Sequence, residues 1–141
     1  MWENITKWTA AIAGGVAGLL GEWSVMLTLL ALAMGIDYIS GVIVAACGKS
    51  PKSEGGGISS NVGFRGLARK GIMMLIVLLA TILDSVLGMD AMIFQTATTA
   101  YYLANEGISI LENAALMGVP FPERVKNALE ELKNKNDSGE S

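Results

Sequence analysis

Histidine is absent from this 141-residue chain, and cysteine occurs once, as Cys47. An intrachain disulfide is therefore impossible, and a zinc cluster has no imidazole and only one thiol to draw on. Nucleophilic catalysis built on a histidine base is excluded for the same reason. Charge is scarce as well. Charged residues make up 16% of the chain, where a soluble domain carries about 25%. The formal net charge of −3 offers no basic face to a nucleic acid. Not one basic residue occurs between Lys70 and Arg124.

What the chain does have is apolar sequence, at 52% of its residues. Its length allows a single domain. Residues 23–47 form a long apolar run broken only by Asp37. At 1.5 Å per residue the run reaches about 37 Å, enough to cross a hydrocarbon core of about 30 Å with some tilt. Residues 71–94 form a second run, with Asp84 inside it and Asp90 near its far end. Residues 96–118 form a third of sufficient length but greater polarity. The expected fold is an all-α, polytopic transmembrane protein with three spans and an N-terminal helix in residues 1–22. Whether residues 5–21 also cross the membrane is open at this level.

The N-terminal segment admits a signal-peptide reading, since Lys7 precedes an apolar stretch. Ala31 and Ala33 form an Ala-x-Ala pattern inside the next apolar run, where cleavage would destroy a span, and the other such pattern, Ala11 and Ala13, comes too soon after Lys7 to leave an apolar core before it. Gly14 and Gly18 instead form the small-xxx-small pattern of closely packed helices; a plain surface helix is the alternative.

Residues 48–70 are rich in Gly, Ser and Pro and read as a loop. They hold Lys49, Lys52, Arg65, Arg69 and Lys70 against Glu54 alone, which the positive-inside rule assigns to the cytoplasm. The second span then exits and the third returns through a tight turn near Gln95. The tail, residues 119–141, falls on the cytoplasmic side, with a short helix carrying Val125, Leu129 and Leu132 on one side, and a disordered end over 134–141. Gly48-Lys49-Ser50 imitates part of a phosphate-binding loop, but Ile43 stands where that pattern needs its first glycine.

The intramembrane acids carry the functional information. An ionisable side chain near the middle of a lone helix costs about 2.5–3.5 kcal/mol, so such residues face a bundle interior or water. In the third run Thr98, Thr99, Tyr102, Asn105, Glu106, Ser109, Glu112 and Asn113 fall within an arc of about 140° at 100° per residue. The opposite side, including Ala100, Leu103, Ala104 and Gly107, reads as a lipid face. Small residues such as Gly41 beside Asp37 favour close helix contact. With no cation inside the spans, the acids are protonated, hydrated, or paired with Arg65, Arg69 or Lys70. A single three-span chain looks too small to hide them all, so homo-oligomerisation is expected.

Three blocks carry a family resemblance: Asp37-Tyr38-Ile39-Ser40-Gly41; Ser60 through Gly63-Phe64-Arg65-Gly66-Leu67-Ala68-Arg69-Lys70; and Asn105-Glu106-Gly107 with Leu111-Glu112-Asn113. Together with Gly118-Val119-Pro120 they resemble the toxin secretion/phage lysis holin family, over about residues 30–133. The resemblance implies a multi-pass protein of the bacterial cytoplasmic membrane that works without catalysis or cofactor. It implies a homo-oligomer in the lipid bilayer that opens a hole for an endolysin or a large toxin. Asp37, Asp84, Asn105, Glu106, Ser109, Glu112 and Asn113 are then candidates for pore lining or subunit contact. A small proton- or cation-conducting channel or transporter is the alternative reading.

Overall fold

The computed structural model describes residues 1–20 and 24–137. Five α-helices form it, with no strand among the described residues: α1 (Trp2–Leu20), α2 (Val25–Ala46), α3 (Ser60–Val86), α4 (Ile93–Leu116) and α5 (Glu123–Asp137). A 3-10 turn at Glu54–Gly56 punctuates the connection between α2 and α3. The expected helix in residues 1–22 is α1 as far as Leu20; residues 21–22, like Trp23, lie outside the described residues.

Each of the three long helices stops by one device. Gly48, Gly88 and Gly118 adopt left-handed backbone angles (φ 71°, 67° and 74°). The next amide then reaches back to the carbonyl five residues earlier: Lys49 N to Val44 O, Met89 N to Asp84 O and Val119 N to Ala114 O. This closes the free carbonyls of a helix end, and glycine adopts the required conformation without a Cβ penalty.

α2 and α3 run antiparallel, and α4 lies against both. Leu27, Leu30 and Met34 of α2 pack on Met73 and Val77 of α3, with Tyr102 and Leu103 of α4 alongside. Ala33, Ala80, Ala100 and Ala104 are buried where the helices approach. α5 folds back along α4, and α1 rests against α3. α2 and α3 are long and apolar enough to cross a membrane, at 22 and 27 residues. Only 17% and 22% of their most apolar windows are buried, whereas the core helix of a soluble protein is mostly buried. Val25, Leu29, Leu32, Ile36, Ile39 and Ile43 form an exposed apolar stripe down α2.

Several boundaries differ from the sequence expectation. The first apolar run, 23–47, corresponds to α2. The second, 71–94, does not stand as one unit. α3 begins at Ser60, twelve residues into the expected loop, and the turn joining it to α4 falls before Ile93, so Gln95 is helical. Ser59 caps α3 by accepting a bond from Val62 N at 3.4 Å. Gly63 and Gly66 then make room for the Tyr38 ring, whose hydroxyl lies 3.2 Å from the position a Cβ on Gly63 would take. Tertiary packing thus overrides the weak helix propensity of two glycines. Arg65, Arg69 and Lys70 are helical residues for that reason, while Lys49 and Lys52 remain in the loop.

α4 is the central helix and has no lipid face along its middle. Ala100 and Ala104 are buried and Leu103 packs on the α2–α3 core, while α5 approaches α4 at the half-buried Gly107. The Leu129 side chain sits 3.0 Å from where a Gly107 Cβ would be. Helix α5 also runs to Asp137, taking in 134–137 of the end expected to be disordered; residues 138–141 lie outside the described residues. Gly14 and Gly18 meet no neighbouring atom within 4 Å, so their face of α1 is open.

Candidate functional site: a buried ion cluster joining three helices

One lysine holds two carboxylates at the centre of the bundle. Lys70 Nζ of α3 donates to Asp37 Oδ2 of α2 at 2.7 Å and to a carboxylate oxygen of Glu106 of α4. The side chains are 14%, 11% and 5% exposed, so the pairs are shielded from the solvent screening that weakens surface ion pairs. Asn113 extends the network. Its Nδ2 donates to Ser40 Oγ at 2.8 Å and to Asp37 Oδ1 at 3.3 Å. Ser40 donates in turn to the Asp37 carbonyl at 3.0 Å, and the Ser109 side chain neighbours the Asp37 carboxylate. Gly41 lies beside the network, its Cβ position 3.8 Å from Asn113 Nδ2, an ordinary van der Waals distance.

Helical periodicity explains the convergence. Glu106 and Asn113 are two turns apart on one face of α4, and Asp37, Ser40 and Gly41 recur at i, i+3 and i+4 on α2. The cluster sits about 15 Å from one end of each helix, since Lys70 is ten residues from Ser60, Asp37 nine from Ala46 and Glu106 ten from Leu116.

Asp84 has a separate task. It is fully buried, and its two oxygens accept from Phe94 N at 2.9 Å and Gln95 N at 2.8 Å. Both are free amides in the first turn of α4. The local cap position, Met92, has a left-handed backbone (φ 49°) and no side chain able to accept. Asp84 supplies that cap from the preceding helix, where its negative charge also meets the positive end of the α4 dipole. Gln95 is anchored further by its side-chain amide, which donates to Thr81 Oγ1 at 2.8 Å.

The expected site residues therefore separate. Asp37, Glu106, Ser109 and Asn113 come together, and Lys70 joins them rather than standing in a loop. Asp84 belongs to the opposite end of the bundle. Glu112 is exposed, and Asn105 lines a cleft beside Arg65 and Arg69. Three of the four acids singled out in the runs are buried within one chain, at 9% exposure for Asp37, 0% for Asp84 and 3% for Glu106. Their concealment therefore requires no second copy. Among the described residues no buried side-chain nitrogen or oxygen lacks a hydrogen-bond partner, and no three metal-ligating side chains gather. Sequence reasoning missed Ser40 as a network member, although its place between Asp37 and Gly41 was a usable signal. It also missed the contact of Tyr38 with α3.

The chain that carries this cluster has relatives. Residues 14–134 match the bacteriophage holin family. The chain belongs to that family. A probable holin of Bacillus phage phi105 is 32% identical, over 97% of this chain and 92% of its own length. An uncharacterized 14.9 kDa protein of Clostridium perfringens is 39% identical, over 94% of this chain and 96% of that protein. An uncharacterized protein of Halalkalibacterium halodurans is 38% identical, over 93% and 96%. No solved structure matches. Holins are non-enzymatic membrane proteins, and two exposed apolar helices agree with a membrane setting.

Proposed function

We propose that this holin-family chain oligomerises in the bacterial cytoplasmic membrane and opens a hole that releases an endolysin, for host lysis, or a large toxin. The observation that carries the reading is the family match over most of the chain. In this reading α2, α3 and α4 all cross. α4 carries Glu106 and Asn113, but hydrogen bonds to α2 and α3 consume both, which offsets the cost of carrying them into the bilayer. Glu112 is four residues from the end of α4, about 6 Å along the axis and close to the interface. Arg65 and Arg69, in the first turns of α3, extend to the same cytoplasmic interface.

The ion cluster acts here as a latch. Closed, it satisfies Asp37, Lys70 and Glu106 within one chain. When the helices part, the same groups need water or a neighbouring subunit, and a water-filled lumen supplies that. Exposed Glu112 is available for subunit contact without any rearrangement.

The test is reconstitution of the full chain in liposomes loaded with a small dye and a folded protein of endolysin size. Release of both is expected. Release of the dye alone would replace the hole with a narrow proton- or cation-conducting path through the charged cluster. Retention of both would remove the permeabilising function.

A further inference from the structure

Beside the ion cluster, α3, α4 and α5 border an open cleft of about 680 Å³. Arg65 and Arg69 reach it from α3, Lys133 from α5, and Tyr101, Tyr102 and Asn105 from α4. No acid lines it. None of these three cations forms an ion pair among the described residues, where the carboxylates of the nearby cluster are held by Lys70. Three positive charges around one cleft with no acid among its described lining make it attractive to an anion. Arg65 and Arg69 are four apart on one helix face, and guanidinium groups bind phosphate oxygens in a two-pronged geometry. The tyrosine hydroxyls and the Asn105 amide add neutral donors. Toward the apolar part of α3 the lining changes to Ile72 and Met73, which suits the start of an acyl chain.

We propose that this cleft binds a phosphate group, and that the group is the headgroup of an anionic phospholipid. A lipid bound there ties the tail helix, through Lys133, to the root of α3, through Arg65 and Arg69. Docking of α5 over α4 then depends on the anionic lipid of the leaflet that faces the basic end of the bundle. The lipid source rests on the membrane placement above; the phosphate chemistry rests on the cleft alone.

The full-length protein in detergent is titrated with short-chain phosphatidylglycerol, short-chain phosphatidylcholine and inorganic phosphate, with bound ligand counted by native mass spectrometry. Phosphatidylglycerol is expected to be retained selectively and to resist displacement by inorganic phosphate. Replacing Arg65 and Arg69 together with Gln should weaken it about 25-fold, since each basic residue beside an anionic headgroup is worth about fivefold. The Arg65→Lys, Arg69→Lys variant keeps the charge but loses the two-pronged geometry, so its binding should fall between the parent and the Gln variant, and Arg124→Gln, outside the cleft, should change nothing. Equal retention of the two lipids, or unchanged binding in a Gln variant of normal helix content, overturns the proposal. Complete displacement by inorganic phosphate overturns the lipid source. Lipid retention is read without any permeabilisation, so this result and the liposome result fail independently.

Discussion

At the scale of single residues, Lys70 holds the molecule together. Removing it leaves Asp37 and Glu106 facing each other inside the bundle, and stripping one partner from a buried ion pair costs about 3–5 kcal/mol. Lys70→Met should lower unfolding stability in detergent by that order. Adding Asp37→Asn and Glu106→Gln to Lys70→Met should recover much of the loss, because neutral partners need no counter-charge. Circular dichroism through a denaturant titration gives both numbers, and a loss under about 0.5 kcal/mol in Lys70→Met would refute the central role. Glu112→Gln, at an exposed position, should leave stability within about 0.5 kcal/mol of the parent chain. A change in lysis timing from that substitution alone would then report a contact between subunits. The polar face of α4 was legible from periodicity, since Glu106, Ser109 and Asn113 share one arc. Which cation answered Asp37 and Glu106 was not legible. Arg65, Arg69 and Lys70 look alike in sequence, and only the rotation of α3 against α2 selects the last.

At the scale of elements, the end of α4 was legible, since the third run closes at 118, where Gly118 turns left-handed. The end of α3 was not: Gly88 stops that helix, whereas the second run was expected to continue to 94. The signals also failed where the cause is distant. The start of α3 depends on Tyr38 lying against Gly63 and Gly66, and the start of α4 depends on Asp84, eight residues before Met92. An aspartate in an apolar run looks the same whether it lines a lumen or caps the next helix. The two roles predict different outcomes for Asp84→Ala. As a cap, the carboxylate protects the Phe94 and Gln95 amides, so the substitution should speed their hydrogen exchange and cost about 1–2 kcal/mol. Unchanged exchange at those amides, together with altered cargo release, would return Asp84 to the pore.

At the scale of the whole molecule, the charge distribution along the bundle axis predicts an orientation. One end carries the C-terminus of α2, the 48–59 loop with Lys49 and Lys52, and the root of α3 with Arg65 and Arg69. The other end, the turn between α3 and α4, carries Asp90 and no basic residue. Basic residues in short loops stay in the cytoplasm, so the α2–α3 end should face inward. Cys47 stands at that end, exposed at the C-terminus of α2 and unique in the chain. An impermeant maleimide should therefore leave Cys47 unlabelled in intact cells and label it in inverted membrane vesicles. A chain carrying Cys47→Ser with Asp90→Cys should show the reverse pattern. Labelling of both positions from one side would mean that α3 does not cross, and the three-span arrangement would fall with it. Exchanged sides would keep the crossing but invert the bundle. Arg65, Arg69 and the lipid cleft would then belong to the outer leaflet.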